Sequence, residues 1–203
     1  MKKKFIKKYM LMAREIAIAN DACYSRKVGV IVIDPSTNGI VGAGYNGPPE
    51  NTPHCDTLDF LNNFFLPQLT EKERKALLSV TEERFKVSLK GNYKKALRLW
   101  DSKNVCPRNI LGYNCGKRPQ LCSCQHAERN ALNKLPIPAK GLVMFCWCGV
   151  PCIQCTGSMI NAGIKEVHCT KEKKDYQPVS RWLFKCSKTK LIEHDIKKFN
   201  DGV

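Results

Sequence analysis

Two short stretches in the second half of the chain hold residue types suited to metal-assisted hydrolysis. One is His126-Ala127-Glu128, at the head of a helix-like run; the other is Pro151-Cys152-Ile153-Gln154-Cys155, at the head of another. Cys152 and Cys155 are three residues apart, so one helical turn sets both sulfurs on the same side. The unpaired amides and positive end of a helix favour their thiolate forms. His126 can add a nitrogen, and a tetrahedral zinc with three protein ligands keeps its fourth position for water. Glu128, two residues past the histidine, would face that water and the substrate instead of completing the shell. A carboxylate so placed takes a proton from a water whose pKa the metal has lowered, and passes it on. The competing reading is a structural zinc knuckle with Glu128 as a helix-surface acid. CxxC alone would favour the knuckle; His-Ala-Glu ahead of it, with a strand between, favours catalysis.

These residues need elements to hold them. Val28 to Ile33 is a β-branched run that reads as a buried strand, Asp34 to Gly39 is a turn by composition, and Ile40 to Tyr45 completes a hairpin. Asn46-Gly47-Pro48-Pro49 breaks that strand and opens a loop to His54-Cys55. Before the hairpin, apolar residues at Phe5, Ile6, Tyr9, Met10, Ala13, Ile16 and Ala17 recur in steps of three and four, marking an amphipathic packing helix. Residues 105–125 read as a cysteine-rich loop, His126 opens a helix that Pro136 stops, and Leu142 to Cys148 is a strand. A helix from Cys152 to Ala162, a strand from Ile164 to Thr170, a helix through Trp182 and an edge strand near Lys190 to Ile192 follow. Strands alternating with helices after a hairpin predict a three-layer α/β/α fold around a central mixed sheet. One domain spanning 1–203 is expected, with a helical insertion at about 58–104. In that insertion Thr70 and Glu73 form a capping box, and a second helix runs from Tyr93 to Trp100.

The 203 residues carry 34 Lys and Arg against 18 Asp and Glu, a net charge of +16 that predicts an anionic partner: a nucleotide, a nucleic acid or a membrane surface. With 43% hydrophobic residues the chain can fill a core, which excludes global disorder. No apolar run approaches the roughly 18 residues of a membrane span. The basic N-terminus is interrupted by Arg14 and Glu15 with no small-residue cleavage site after it, so a cytoplasmic location is expected. Eight of the twelve cysteines fall between Cys106 and Cys155, a clustering that in a reducing compartment points to metal rather than disulfides.

His-Ala-Glu with Pro-Cys-x-x-Cys is the signature of zinc nucleobase deaminases. The chain closely resembles the deoxycytidylate deaminase family within them. The resemblance runs through Cys23-Tyr24-Ser25-Arg26-Lys27-Val28-Gly29, Gly44-Tyr45-Asn46-Gly47-Pro48-Pro49, His54-Cys55, Cys106-Pro107-Arg108, Leu111-Gly112, Leu121-Cys122, the two zinc stretches and Ile160 to Ile164. It implies a cytidine-deaminase-like fold and hydrolysis of dCMP to dUMP and ammonia, supplying thymidylate synthesis. Under it Glu128 carries protons from water to N3 and the departing amino group, Asn46 contacts the sugar, and Arg26 lies near the phosphate. It further implies a homo-oligomer, with dCTP and dTTP as candidate effectors. A structural zinc beside the catalytic one is also implied, with Cys23, Cys55, Cys106 and Cys122 as its candidate ligands and His54, Cys115 and Cys124 as substitutes. Cys146, Cys148, Cys169 and Cys186 read as strand or core residues. Cys148 departs from the family, which usually has threonine or another residue there. A deaminase accepting dCTP, or acting on tRNA or single-stranded DNA, is the alternative; the basic charge suits a nucleic acid, but interleaved acids break any continuous patch.

Overall fold

The β-branched run after Val28 lies at the heart of a sheet, and the chain is arranged around it. The computed structural model describes residues 2–113, 116–174 and 176–196. In chain order its elements are α1 (Lys3–Ala19), β1 (Gly29–Asp34), β2 (Gly39–Tyr45), α2 (Leu58–Phe60), α3 (Glu71–Phe85), α4 (Tyr93–Trp100), α5 (Pro107–Ile110), α6 (Ala127–Asn133), β3 (Val143–Cys146), α7 (Ile153–Asn161), β4 (Glu166–Thr170), α8 (Pro178–Cys186) and β5 (Lys190–His194). They divide into two compact units. The first comprises Met1–Asn20, Lys27–Asn46 and Gln125–Val203; the second comprises Asp21–Arg26 and Gly47–Cys124.

The first unit is built on one five-stranded sheet in the order β2-β1-β3-β4-β5. β1 pairs antiparallel with β2 and with β3, while β3–β4 and β4–β5 are parallel, so the sheet is mixed as expected. Alternation along β1 divides the core between two faces. Ile31 and Ile33 join Val143 and Phe145 against Tyr9, Met10 and Ala13 of α1. Val30 and Val32 join Met144, Cys146, Val167 and Cys169 against Ala127 and Ala131 of α6, Cys155 and Met159 of α7, and Phe184 of α8. Those are the three layers the periodicity predicts. α6 lies so close on β2 that a Cβ on Gly44 would stand 2.6 Å from both the Ala127 carbonyl oxygen and the Ala131 nitrogen.

In the second unit α2 runs on through a π turn, Leu61–Phe65, and a 3₁₀ turn, Leu66–Gln68. The Thr70–Glu73 capping box is present at the start of α3. Phe60, Leu61, Phe65, Leu77, Leu97 and Trp100 form a separate apolar core. Inside the stretch read as a loop, α5 forms with Pro107 in its first turn, and the Asn109 amide bonds to the Cys106 carbonyl at 2.8 Å. The predicted insertion at 58–104 is helical and lies wholly in this unit.

Candidate active site

α6 and α7 each bring a candidate ligand at the N-cap. His126 caps α6 and Cys152 caps α7, with Cys155 in the first turn of α7. The Nδ1 atom of His126 lies 3.3 Å from Cys152 Sγ and 3.4 Å from Cys155 Sγ. Among the described residues these three form the only group of metal-ligand side chains whose donor atoms all come within 4.8 Å of one another. One nitrogen and two sulfurs at such separations suit a tetrahedral zinc. The electrostatics agree. A hydrogen bond from Cys155 outweighs the cost of burial and, helped by His126 and by the Cys155 backbone amide, holds the Cys152 thiol down at about 4. The same hydrogen bond, followed by burial, pushes Cys155 up. His126 is raised in turn, chiefly by its bond to Cys152.

Glu128 sits in the first turn of α6 with only 4% of its surface exposed. Burial pushes its carboxyl up; its own backbone amide, the His126 charge and a hydrogen bond from Cys155 oppose the rise. Such a group exchanges protons nearer neutral pH than a surface carboxylate does. Its Oε1 also has the Cys148 sulfur at 4.0 Å.

Asn46 is largely buried and is not in the positive-φ conformation a simple turn residue would take. Its Oδ1 accepts from the Val28 amide at 2.8 Å and from Asn20 Nδ2 at 3.0 Å, and the same Asn20 nitrogen reaches the Asn46 carbonyl at 2.9 Å. Asn20 was not singled out from sequence, because an asparagine closing an amphipathic helix reads as a cap, a role it also fills on α1. Asn130 is engaged through its Nδ2, 2.9 Å from the Tyr45 carbonyl.

In the second unit Arg26 is exposed, and its backbone amide bonds to the Cys23 sulfur. Cys124 is the sulfur that interacts with those of Cys122, Cys23 and Cys55, although no three of these four have donor atoms all within 4.8 Å of one another. These interactions push Cys124 up and, against burial, bring Cys23 down to about 5 and Cys122 to about 6. Cys106, one of the four expected ligands, is raised by burial and hydrogen-bonds to Arg108, with Cys55 as its sulfur neighbour. His54 is engaged through both ring nitrogens, by Asp56 at 2.7 Å and the Ala22 carbonyl at 2.9 Å. Cys115 lies outside the described residues.

Of the cysteines read as strand or core, Cys146 and Cys169 are buried in β3 and β4. The other two differ. Cys186 is exposed at the end of α8, because that helix turns its inner face through Ser180 and Phe184. Cys148 is half-buried beyond the end of β3, beside Glu128. No local pattern marks that proximity, which depends on sheet register. One residue on, a Cβ at Gly149 would collide with the Glu172 carboxylate.

Residues 3–171 match the family model described as the cytidine and deoxycytidylate deaminase zinc-binding region. The deoxycytidylate deaminase of Schizosaccharomyces pombe (strain 972 / ATCC 24843) is 23% identical over 160 residues, which is 78% of this chain and 35% of the relative. The chain thus spans about a third of that relative's length. The crystal structure of a dCMP deaminase from the cyanophage S-TIM5 in complex with dCMP and dUMP aligns with a TM-score of 0.56 at 18% identity, covering 96% of this chain and 99% of that one. Its apo form aligns at 0.52 with 20% identity, covering 96% and 100%. These alignments agree with the layered mixed-sheet fold. The family match, spanning both halves of the His126/Cys152/Cys155 site, places this chain in the zinc-dependent cytidine and deoxycytidylate deaminase family.

Proposed function

We propose that the chain catalyses hydrolytic deamination of dCMP to dUMP and ammonia. The observation that carries the reading is the convergence of His126, Cys152 and Cys155 beside a buried Glu128. The named relatives support dCMP as the nucleotide: one is a deoxycytidylate deaminase and another was crystallised with dCMP and dUMP.

His126, Cys152 and Cys155 would hold the zinc, which when bound makes water a nucleophile at neutral pH. Glu128 takes the proton that the attacking water gives up as its oxygen bonds to C4 of the cytosine ring. It delivers that proton to N3, then takes the remaining proton from the new C4 hydroxyl as the carbonyl forms and passes it to the exocyclic amino group as the C4–N bond breaks and ammonia leaves. Burial suits Glu128 to this work, since a carboxyl pushed up from its ordinary value both accepts and releases protons near neutrality. The Asn20–Asn46–Val28 hydrogen bonds fix the backbone where Asn46 would meet the sugar, and Arg26 would face the phosphate with a fork suited to its oxygens.

A structural zinc held by Cys23, Cys55, Cys122 and Cys124 belongs to the same proposal, with Cys124 in place of Cys106. The interaction of the Cys124 sulfur with those of Cys122, Cys23 and Cys55 supports it. Both units would then serve one deaminase domain. Self-association, feedback by dCTP and dTTP, and a cytoplasmic location are further parts of the reading. The free cysteines fit a reducing compartment, and no helix among the described residues is long and apolar enough to cross a membrane.

The test is a competition assay with cytidine, CMP, dCMP and dCTP at equal concentration, products separated by chromatography. Dominant dUMP is expected, and Glu128→Gln should keep zinc while losing about 10²- to 10⁴-fold in turnover. Dominant dUTP would move the substrate to the triphosphate. No uracil product from a zinc-loaded protein, with effectors added, would refute the reading.

A further inference from the structure

We propose that Cys148 is a positioning residue for this chemistry, its thiol holding one oxygen of Glu128 so that the other is left to exchange protons with the reactants. The inference rests on the reading of Glu128 as proton carrier.

A carboxylate that takes a proton from water and hands it to a ring nitrogen works best when it presents the same oxygen throughout. Rotation about its last bond would exchange the two oxygens. Glu128 Oε1 has the Cys148 sulfur at 4.0 Å, and Cys155 is the other side-chain donor to this carboxylate. A thiol that ligates a metal gives up its proton. Cys148 lies outside the group of metal-ligand side chains, so its thiol is left to orient Glu128.

Cys148 is itself well held. Its carbonyl accepts from the Thr170 amide at 2.8 Å, tying the backbone just past β3 to the end of β4. Its sulfur interacts with that of Cys146, which is wholly buried in β3. The next residue, Gly149, has the Glu172 carboxylate packed where a side chain would be. A thiol is a weak donor and its bonds are long, so its value here is in orientation rather than strength. Hydrogen bonds of this kind shorten when reactants fill a site.

The test compares steady-state dCMP kinetics and zinc content of the wild type, Cys148→Ala, Cys148→Ser and Glu128→Gln. Cys148→Ala is expected to lower kcat about tenfold with KM and zinc per chain unchanged. Cys148→Ser, which keeps a donor of similar reach, should stay within about twofold of wild type. Three results would overturn the proposal: a Cys148→Ala kcat within about twofold of wild type, a Cys148→Ser variant as impaired as Cys148→Ala, or loss of zinc from Cys148→Ala. The second would mean that Cys148 only fills space, and the third that it supports the metal. A wild type inert toward dCMP, or a fully active Glu128→Gln, would bring down the reading of Glu128 itself and this inference with it.

Discussion

The two groups of cysteine differ in what holds them. His126, Cys152 and Cys155 stand on the ends of two helices packed against a sheet whose central strands are almost wholly buried. Cys23, Cys55, Cys122 and Cys124 stand in turns and connections, outside any helix or strand. The first group is carried into place by hydrophobic packing and a backbone ladder, whatever its sulfurs do. The second, on the proposed reading, would depend on a metal joining its sulfurs. The apolar core of Phe60, Phe65, Leu77 and Trp100 takes in Cys55, but the other three sulfurs are not part of it. A metal in the first site would serve chemistry, and a metal in the second would serve folding.

Chelation should give the largest effect and break the comparison most directly. Structural zinc contributes on the order of 10 kcal/mol in small domains. Removing metal should therefore strip amide-exchange protection from residues 21–26, 51–57 and 122–124 and abolish turnover, while β1, β3 and β4 keep theirs. Protection lost equally from the sheet would show that the two groups are held alike.

A smaller change probes the sheet-held site. Gly44→Ala drives a methyl into the α6 backbone, 2.6 Å from the Ala127 oxygen and the Ala131 nitrogen. Overpacking of this kind should cost about 3 kcal/mol, read as a fall in Tm together with lost dCMP turnover. An unchanged Tm would mean that α6 yields easily and that the site is less rigidly carried than its packing suggests.

The division between legible and illegible residues follows the same line. The His-Ala-Glu and Cys-x-x-Cys stretches, the Thr70 capping box and the hairpin at Asp34–Gly39 were readable because helical turns, caps and tight turns are set by residues within a few positions. The mixed sheet followed from alternating elements. The proposed preference for Cys124, read from sequence only as a substitute, over Cys106 rests on how α5 and the 3₁₀ turn at Pro119–Leu121 fold the loop between them. Sequence could not place Cys148 beside Glu128 or Glu172 against Gly149. Those meetings depend on β3 pairing with β1 and β4, across more than a hundred residues in the first case. The helical insertion was visible as helices, but its partnership with the short segment Asp21–Arg26 was not.

Acid should separate the units further. His168 lies buried against Phe145, with His194 hydrogen-bonded at 2.8 Å from ring to ring. Burial, then the His194 charge, lowers His168 to about 4, and burial lowers His194 as well. A base whose folded pKa is depressed stabilises the fold fully above its unfolded value, near 6.5, and that stability is lost as pH falls through about 4. At Glu73 burial works against ionisation, but hydrogen bonds from Thr70, Tyr113 and Arg118 prevail and hold it at about 2. Its contribution is present above roughly 4.3, the unfolded carboxyl value, and is lost only as pH falls through about 2. Amide exchange across an acid titration should therefore loosen β4 and β5 before α3. The reverse order would refute the assignment. The smallest effect expected is from Glu73→Gln, about 1–2 kcal/mol in a urea titration, since its partner Arg118 is partly exposed to solvent.

The place of β1 between β2 and β3 also sets a timetable. As a nascent chain leaves the ribosome, the β1–β2 hairpin emerges early, but the strand that covers the other side of β1 begins only at Val143. At about 5–20 residues per second, that edge stands open for roughly 5–20 seconds while the second unit is being made. An uncovered Val-Ile strand is a template for pairing with another chain. Yield in a cell should thus be governed by what shields this hairpin during synthesis, and slowing translation across 47–124 should send more of the product into aggregates.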